Sequence, residues 1–196
     1  MKIEQKEFFT QKDKQDISIL ILSSLHEKIL PVLGEKKKAI LLLQKSYSSK
    51  NCFFIKENNS IVAFLAFKTK KNNFFNPSLT NFTDVYGLLG LIKALTFNII
   101  DHKVKTEEIH IEAITVNSTF RGKGIGSNLI QHFFNYAKKN RFRIASLEVV
   151  DTNKKAFSLY DKIGFSINKR SSIKFLKWFF PFKFNYVLLM EKRLNR

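Results

Sequence analysis

Between Thr115 and Ser127 the chain reads TVNSTFRGKGIGS. Gly122, Gly124 and Gly126 alternate with Lys123 and Ile125, and Arg121 stands just before them. Glycine lets another group approach the backbone closely, at a cost in conformational entropy. An apolar helical pattern follows, so the loop sits where a helix N-terminus offers unpaired N–H groups and a partial positive charge. The chemistry such a loop performs is phosphate binding, with Arg121 and Lys123 adding charge. A P-loop, GxxxxGK followed by Ser or Thr, is absent. The dinucleotide fingerprint GxGxxG also fails, because Ser127 stands where its last glycine would be. A helix-start loop without a ligand is the competing reading.

A second group of reactive types lies just upstream. Glu108, His110 and Glu112 alternate along a strand pattern and therefore share one face. With Glu107 they form an acidic cluster in a chain otherwise dominated by lysine. Downstream, LEVVDTNKKAFSLYDKIGF begins at Leu147 and carries Glu148, Asn153 and Tyr160. Cys52 reads as a buried hydrophobe. His26, His102 and His132 are scattered, so no metal is expected.

Several elements must position these groups. A short strand is expected over 2–9. A helix over 13–29 carries Ile17, Leu20, Ile21 and Leu25 on one face, with Ser23 and His26 turned away. Pro31 reads as the start of a second helix bearing Ile40, Leu41 and Leu42. CFFIKENNSIVAFLAF reads as a hairpin turning at Glu57-Asn58-Asn59-Ser60. Residues 70–83 read as irregular around Asn76-Pro77, and 84–99 as one apolar helix. A strand over 107–116 leads into the glycine loop. Leu129, Ile130, Phe133, Phe134 and Ala137 then form a helix face that ends at Asn140. A strand over 145–150, a short helix over 153–162 and two strands around the aromatic run 175–184 complete a mixed α/β order. A strand–loop–helix–strand unit with parallel strands puts the loop at the carboxyl edge of a sheet, where ligands bind.

Loop and second block together resemble the GNAT superfamily of N-acetyltransferases. The matching features are Arg121–Gly126, preceded by Ile114-Thr115-Val116, and then Asn153, Ala156, Leu159-Tyr160 and Gly164-Phe165. The family's usual pattern has one more residue between the basic position and its glycines. The resemblance covers about 107–166 closely. It implies an α/β (α+β) fold: a mixed, mostly antiparallel sheet with a splayed parallel strand pair, flanked by helices, as one domain over 1–196.

The resemblance also implies acetyl-CoA as cofactor. Backbone amides of Gly122, Lys123, Gly124, Ile125, Gly126 and Ser127 would hold its pyrophosphate, with Arg121 beside them. Ile114, Thr115 and Val116 would pair with pantetheine like an added strand, and Asn153 would contact the cofactor. Tyr160 matches the family's acid. Glu148 is placed as in bacterial ribosomal-protein alanine N-acetyltransferases, as a base or as the partner of a lysine. His110 lies on the strand where some histone-type relatives carry a glutamate base; a satisfied strand histidine is its other reading. The expected activity is acetyl transfer to a primary amine, on a protein or a small molecule. A non-catalytic coenzyme A-binding module, or a basic nucleic-acid-associated protein, is the alternative.

Composition bounds the rest. The chain has 196 residues, enough to bury a core without disulfides. It has 34 basic and 16 acidic residues, a net charge of +18 and a pI near 10. Only six of the basic residues are arginine, and lysine travels with abundant Asn, Ile and Phe, as in a gene rich in A and T. No RNA-binding or zinc-finger spacing accompanies the charge, so no specific nucleic acid partner is expected. The stretch Val85–Ile100, broken by Lys93, is too short to span a bilayer. A cytoplasmic protein, with a possible homodimer, is expected. FLKWFFPF at 175–182 is expected first as core or acceptor wall, second as a dimer contact, third as a shallow membrane anchor.

Overall fold

A computed structural model describes residues 2–6 and 8–194, apart from the side chains of Ile99 and Ile100. Residues 1, 7, 195 and 196, the ends of the expected domain among them, lie outside the described residues. The elements run α1 (Gln11–Leu33), α2 (Lys36–Ser46), β1 (Cys52–Glu57), β2 (Ser60–Lys68), α3 (Leu79–Tyr86), α4 (Leu89–Ile100), β3 (Glu108–Val116), α5 (Ile125–Lys139), β4 (Ile144–Val150), α6 (Lys154–Lys162), β5 (Ser166–Ser172) and β6 (Tyr186–Arg193).

The strands form one sheet in the order β1-β2-β3-β4-β6-β5, antiparallel except for β3 and β4. One end of the sheet is a long apolar hairpin, β1 and β2, with β1 at the edge. Asn58 and Asn59 take positive φ of 47° and 60°, the geometry of a two-residue turn whose twist matches the flanking strands. Side chains alternate across the sheet. Phe54 and Phe64 therefore join the core beneath α1–α4, while Phe53 and Phe67 join the core beneath α5 and α6.

Two irregularities of β3 create the site. Its pairing with β4 runs only from Glu108↔Ile144 to Ile111↔Leu147, and beyond that the parallel strands fork. On the β2 side the register slips between Ala66↔Ala113 and Phe67↔Ile111, leaving Glu112 in a bulge without a partner. A bulge re-aims side chains, and Glu112 and Ala113 both reach the cavity on the α1–α4 face.

Four expectations need correction. In place of a strand over 2–9 there is a single bridge, Glu4↔Phe54. Pro31 does not start a helix: α1 runs on to Leu33, with its break at Leu25, and α2 begins at Lys36 after Gly34. The helix expected over 84–99 is two, parted at Gly87 and Leu88, and the first begins at Leu79 within the supposedly irregular segment. The aromatic run is divided: Phe182 and Phe184 are core, whereas Phe175, Trp178 and Phe179 project into solvent.

Candidate active site

The glycine loop folds as its residues demand. Gly122 and Gly124 sit at φ of 77° and 74°, in the left-handed region open to glycine. A Cβ built on either would meet nothing within 4 Å, so the space above the loop is open. Gly124 caps α5 without any side-chain hydrogen bond, and the first helical bond is Asn128 N–H to Gly124 carbonyl at 3.0 Å. The amides of Ile125, Gly126 and Ser127 thus head the helix beside an uncovered backbone. A bare cradle at a helix N-terminus fits a phosphate group. Arg121 and Lys123 flank it, both exposed: Arg121 Nε donates to the Val116 carbonyl at 3.0 Å, and Lys123 Nζ lies 5.5 Å from the Phe120 ring centre.

The fork continues the cradle inward. Asn117 N–H donates to the Val62 carbonyl, so along the pairing of β2 with β3 the backbone of Thr115 also faces β2. The amides of Ile114 and Val116 face the opposite way, into the gap left by β4. Of the three residues expected to pair with pantetheine, Ile114 and Val116 therefore offer backbone groups there and Thr115 does not. The Thr115 hydroxyl is buried, with no hydrogen-bond partner among the described residues. Asn153 serves first as the N-cap of α6, accepting from Ala156 N–H at 3.1 Å.

On the α1–α4 face the fork opens onto a cavity of about 120 Å³. Its lining joins apolar side chains, Ile21, Leu25 and Phe97 among them, to the polar Lys28, Lys68, Asp101, His102, His110, Glu112 and Glu148. A wider cleft of about 670 Å³ shares Lys28, Asp101, His102 and Glu148 and runs out between the 103–105 segment and β5.

The alternation expected for Glu108, His110 and Glu112 holds, but the three do different work. Glu108 is buried; burial alone would raise its pKa, but His102, Lys105 N–H and Ser146 hold it down at about 2. Its Oε1 takes hydrogen bonds from His102 Nε2 at 2.7 Å and from the Ser146 hydroxyl. An ionised carboxylate only accepts. Ser146 thus spends its one proton on Glu108 and must accept from His110 Nδ1–H, 2.8 Å away. The unprotonated nitrogen of His110 is then Nε2. Burial, and then the neighbouring His102, Lys68 and Lys28, hold His110 neutral, well below the usual histidine range. The His102 and His110 rings stack at 4.5 Å with 28° between planes. Near-parallel rings cannot both aim in-plane lone pairs at one ion, so His102, Glu108 and His110 form a hydrogen-bonded array rather than a metal's ligand shell.

Glu112 behaves oppositely. Burial raises its carboxyl to about 7, although Lys68 and the Phe74 and Phe75 N–H groups, at 2.8 and 3.3 Å from Oε2, pull the other way. Glu148 is held by Lys28 Nζ at 2.6 Å and, despite burial, stays below the ordinary carboxyl range. Tyr160 lies on the other face of the sheet, in the core shared with Ile114 and Val116, its ring against Phe165. Burial pushes its phenol up to about 12. Sequence reasoning did not find Ser146, Lys28, Lys68 or Asp101. Ser146 becomes visible only through the register that sets it opposite His110.

Residues 21–165 match the model of the acetyltransferase (GNAT) family. An uncharacterised N-acetyltransferase of Methanocaldococcus jannaschii is 43% identical over 68 residues, 35% of this chain and 30% of that protein's own length. An N-acetyltransferase of Staphylococcus aureus superposes with a TM-score of 0.68 at 18% identity, over 98% of this chain and all of the other. The ribosomal-protein-S18-alanine N-acetyltransferase of Escherichia coli gives 0.60 at 13% identity, over all of this chain and 94% of that one. These two likenesses are of fold alone.

Proposed function

Because this chain belongs to the GNAT acetyltransferase family, we propose that it moves an acetyl group from acetyl-CoA to a primary amine by direct attack on the thioester. The observation that carries this is the fork itself. It is an open pair of strand edges, headed by a bare helix N-terminus and flanked by ionisable groups on one face and a neutral phenol on the other.

When bound, acetyl-CoA supplies the thioester carbonyl. The amides of Ile125, Gly126 and Ser127 hold its pyrophosphate, with charge from Arg121 and Lys123. Backbone groups of Ile114 and Val116 hold the pantetheine arm, and Asn153 stands at the head of α6 beside it. The acceptor enters from the α1–α4 face. Glu112, with a pKa of about 7, takes the proton that leaves the attacking ammonium. Its range suits a base at neutral pH. The neutral His110, Nε2 unprotonated, would accept the second proton that the nitrogen sheds once the N–C bond has formed, and Glu148 is given to its ion pair with Lys28. Val116 N–H would stabilise the charge that grows on the carbonyl oxygen as the amine displaces the thiolate. Tyr160, still protonated, donates to the departing sulfur. A panel of amines screened for release of free coenzyme A tests this reading. Coenzyme A binding without turnover of any amine would leave the non-catalytic alternative.

A further inference from the structure

The segment from Lys162 to Met190 contains six basic residues and no acidic one. At its centre is a single 3₁₀ turn, Phe175–Trp178. Phe175, Trp178 and Phe179 are 73%, 88% and 67% exposed, and the rings of Phe175 and Phe179 meet at 5.5 Å. This exposure does not come from a loose loop. Ile173, Phe182 and Phe184 are buried on either side of the turn, Phe180 packs on the same core, and Ile173 N–H donates to the Asn185 carbonyl at 3.0 Å. Three aromatic rings are thus held out in water on a rigid base, with Lys174 just before them and Lys177 between them.

We infer that this turn seats the protein on an anionic lipid bilayer. Trp and Phe beside lysine suit the boundary between headgroups and acyl chains, and the local surplus of lysine complements an anionic leaflet. A second copy of this chain is a poor occupant, since a two-fold interface would set the same basic surface against itself. A nucleic acid would answer to the lysines, but stacking on bases calls for rings lining a groove, and these cap a protruding turn. The exposed leucines of α4 carry no such argument: Lys93 donates to the Val32 carbonyl at 2.5 Å, and no basic residue elsewhere in Leu79–Ile100 marks a partner. The inner side of the basic turn supplies Leu176 to the wide cleft that ends at His102 and Glu148. Docking would therefore bring the cleft to the membrane surface.

Trp178 is the chain's one tryptophan, so its fluorescence reports this turn alone. With vesicles of phosphatidylglycerol, emission should shift to the blue and the protein should co-sediment. Both effects should fade as salt is raised and be weak with phosphatidylcholine. The Lys174→Ala, Lys177→Ala pair should bind about thirtyfold more weakly, at roughly fivefold per lysine near an anionic surface. Lys177 also donates to Asn185 at 2.9 Å, so unchanged circular dichroism melting must accompany the loss. Phe175→Ser with Phe179→Ser should lose sedimentation by at least about tenfold while keeping both lysines. Equal binding to the two lipids, or none to phosphatidylglycerol, overturns the inference. A blue shift that appears with protein concentration alone, with doubled mass, assigns the turn to a second copy instead. A blue shift with a single-stranded oligonucleotide but not with vesicles assigns it to nucleic acid.

Discussion

Tyr160 and Glu112 stand on opposite faces of the sheet, Tyr160 in the core that takes in Ile114 and Val116 and Glu112 in the cavity on the α1–α4 face. In the proposed reaction the phenol donates a proton and the carboxylate accepts one, each from its own face. They meet only through whatever occupies the fork. Direct transfer asks for this arrangement, because the amine arrives at one side of the carbonyl while the thiolate departs at the other.

Tyr160→Phe should keep affinity for acetyl-CoA and lower turnover. The ring and its contact with Phe165 remain, and only the proton donor is lost. General acid catalysis is typically worth about 10²–10⁴-fold. A leaving thiol with a pKa near about 8.5 needs little help, so a loss near the lower end is expected. With the phenol at about 12, wild-type turnover should show no falling limb between about pH 8 and about pH 10. Steady-state rates across that range check both points; full activity in the variant would make Tyr160 a core residue only.

Glu112→Gln should abolish the rise of turnover through about pH 7. It should also stabilise the protein, because a carboxyl raised from 4.5 to about 7 keeps its proton in the folded state over that window. Its stabilisation is present below pH 4.5 and is lost as pH rises through 7. At pH 8 glutamine, still able to accept from Phe74 and Phe75 N–H, should therefore gain up to about 3 kcal/mol, and little at pH 5. Melting curves of both proteins at the two pH values measure the difference. Equal melting at pH 8 would show that the carboxyl carries no such strain.

Much of this was legible in the residues. The two-asparagine turn, the β-rich runs of β1 and β2, the helix face from Leu129 to Ala137 and the three glycines each follow from local physics, and the structure bears them out. What escaped depends on partners distant in sequence. The bulge that makes Glu112 different from Glu108 is a property of register with β2, not of β3. Ser146 looks like an ordinary strand serine until β4 lines up with β3. Lys28 is one lysine among many, and only the packing of α1 brings it to Glu148, 120 positions away. Pro31 misled because it stands two residues before the end of α1 at Leu33 rather than at the start of a helix.

Ser146→Ala tests the buried array. The serine fixes His110 as the Nδ1–H tautomer, so nitrogen chemical shifts of His110 should show one tautomer in the wild type and a mixture in the variant. A held-down histidine costs stability in acid: the unfolded chain takes up a proton near pH 6.5 that the folded imidazole refuses, so stability falls as pH drops below that value. His110→Gln should remove this part of the acid sensitivity. An unchanged tautomer in Ser146→Ala would mean that ring packing against His102 alone orients His110.

Acetyl-CoA should raise the melting temperature, since a ligand of the folded state stabilises it by mass action. Gly124→Val should remove that shift. Gly124 sits at φ 74°, where a β-branched residue is strained, and its missing Cβ leaves the space above the helix N-terminus open. Lost binding and lost folding must be told apart. Gly124→Ala places one carbon in the same open space with less backbone strain, and should weaken binding of free coenzyme A while melting within a few degrees of the wild type. A calorimetric titration of coenzyme A into each protein gives the answer. If Gly124→Ala binds with unchanged affinity, the pyrophosphate does not cross this backbone, and the three glycines serve only to turn the chain into α5.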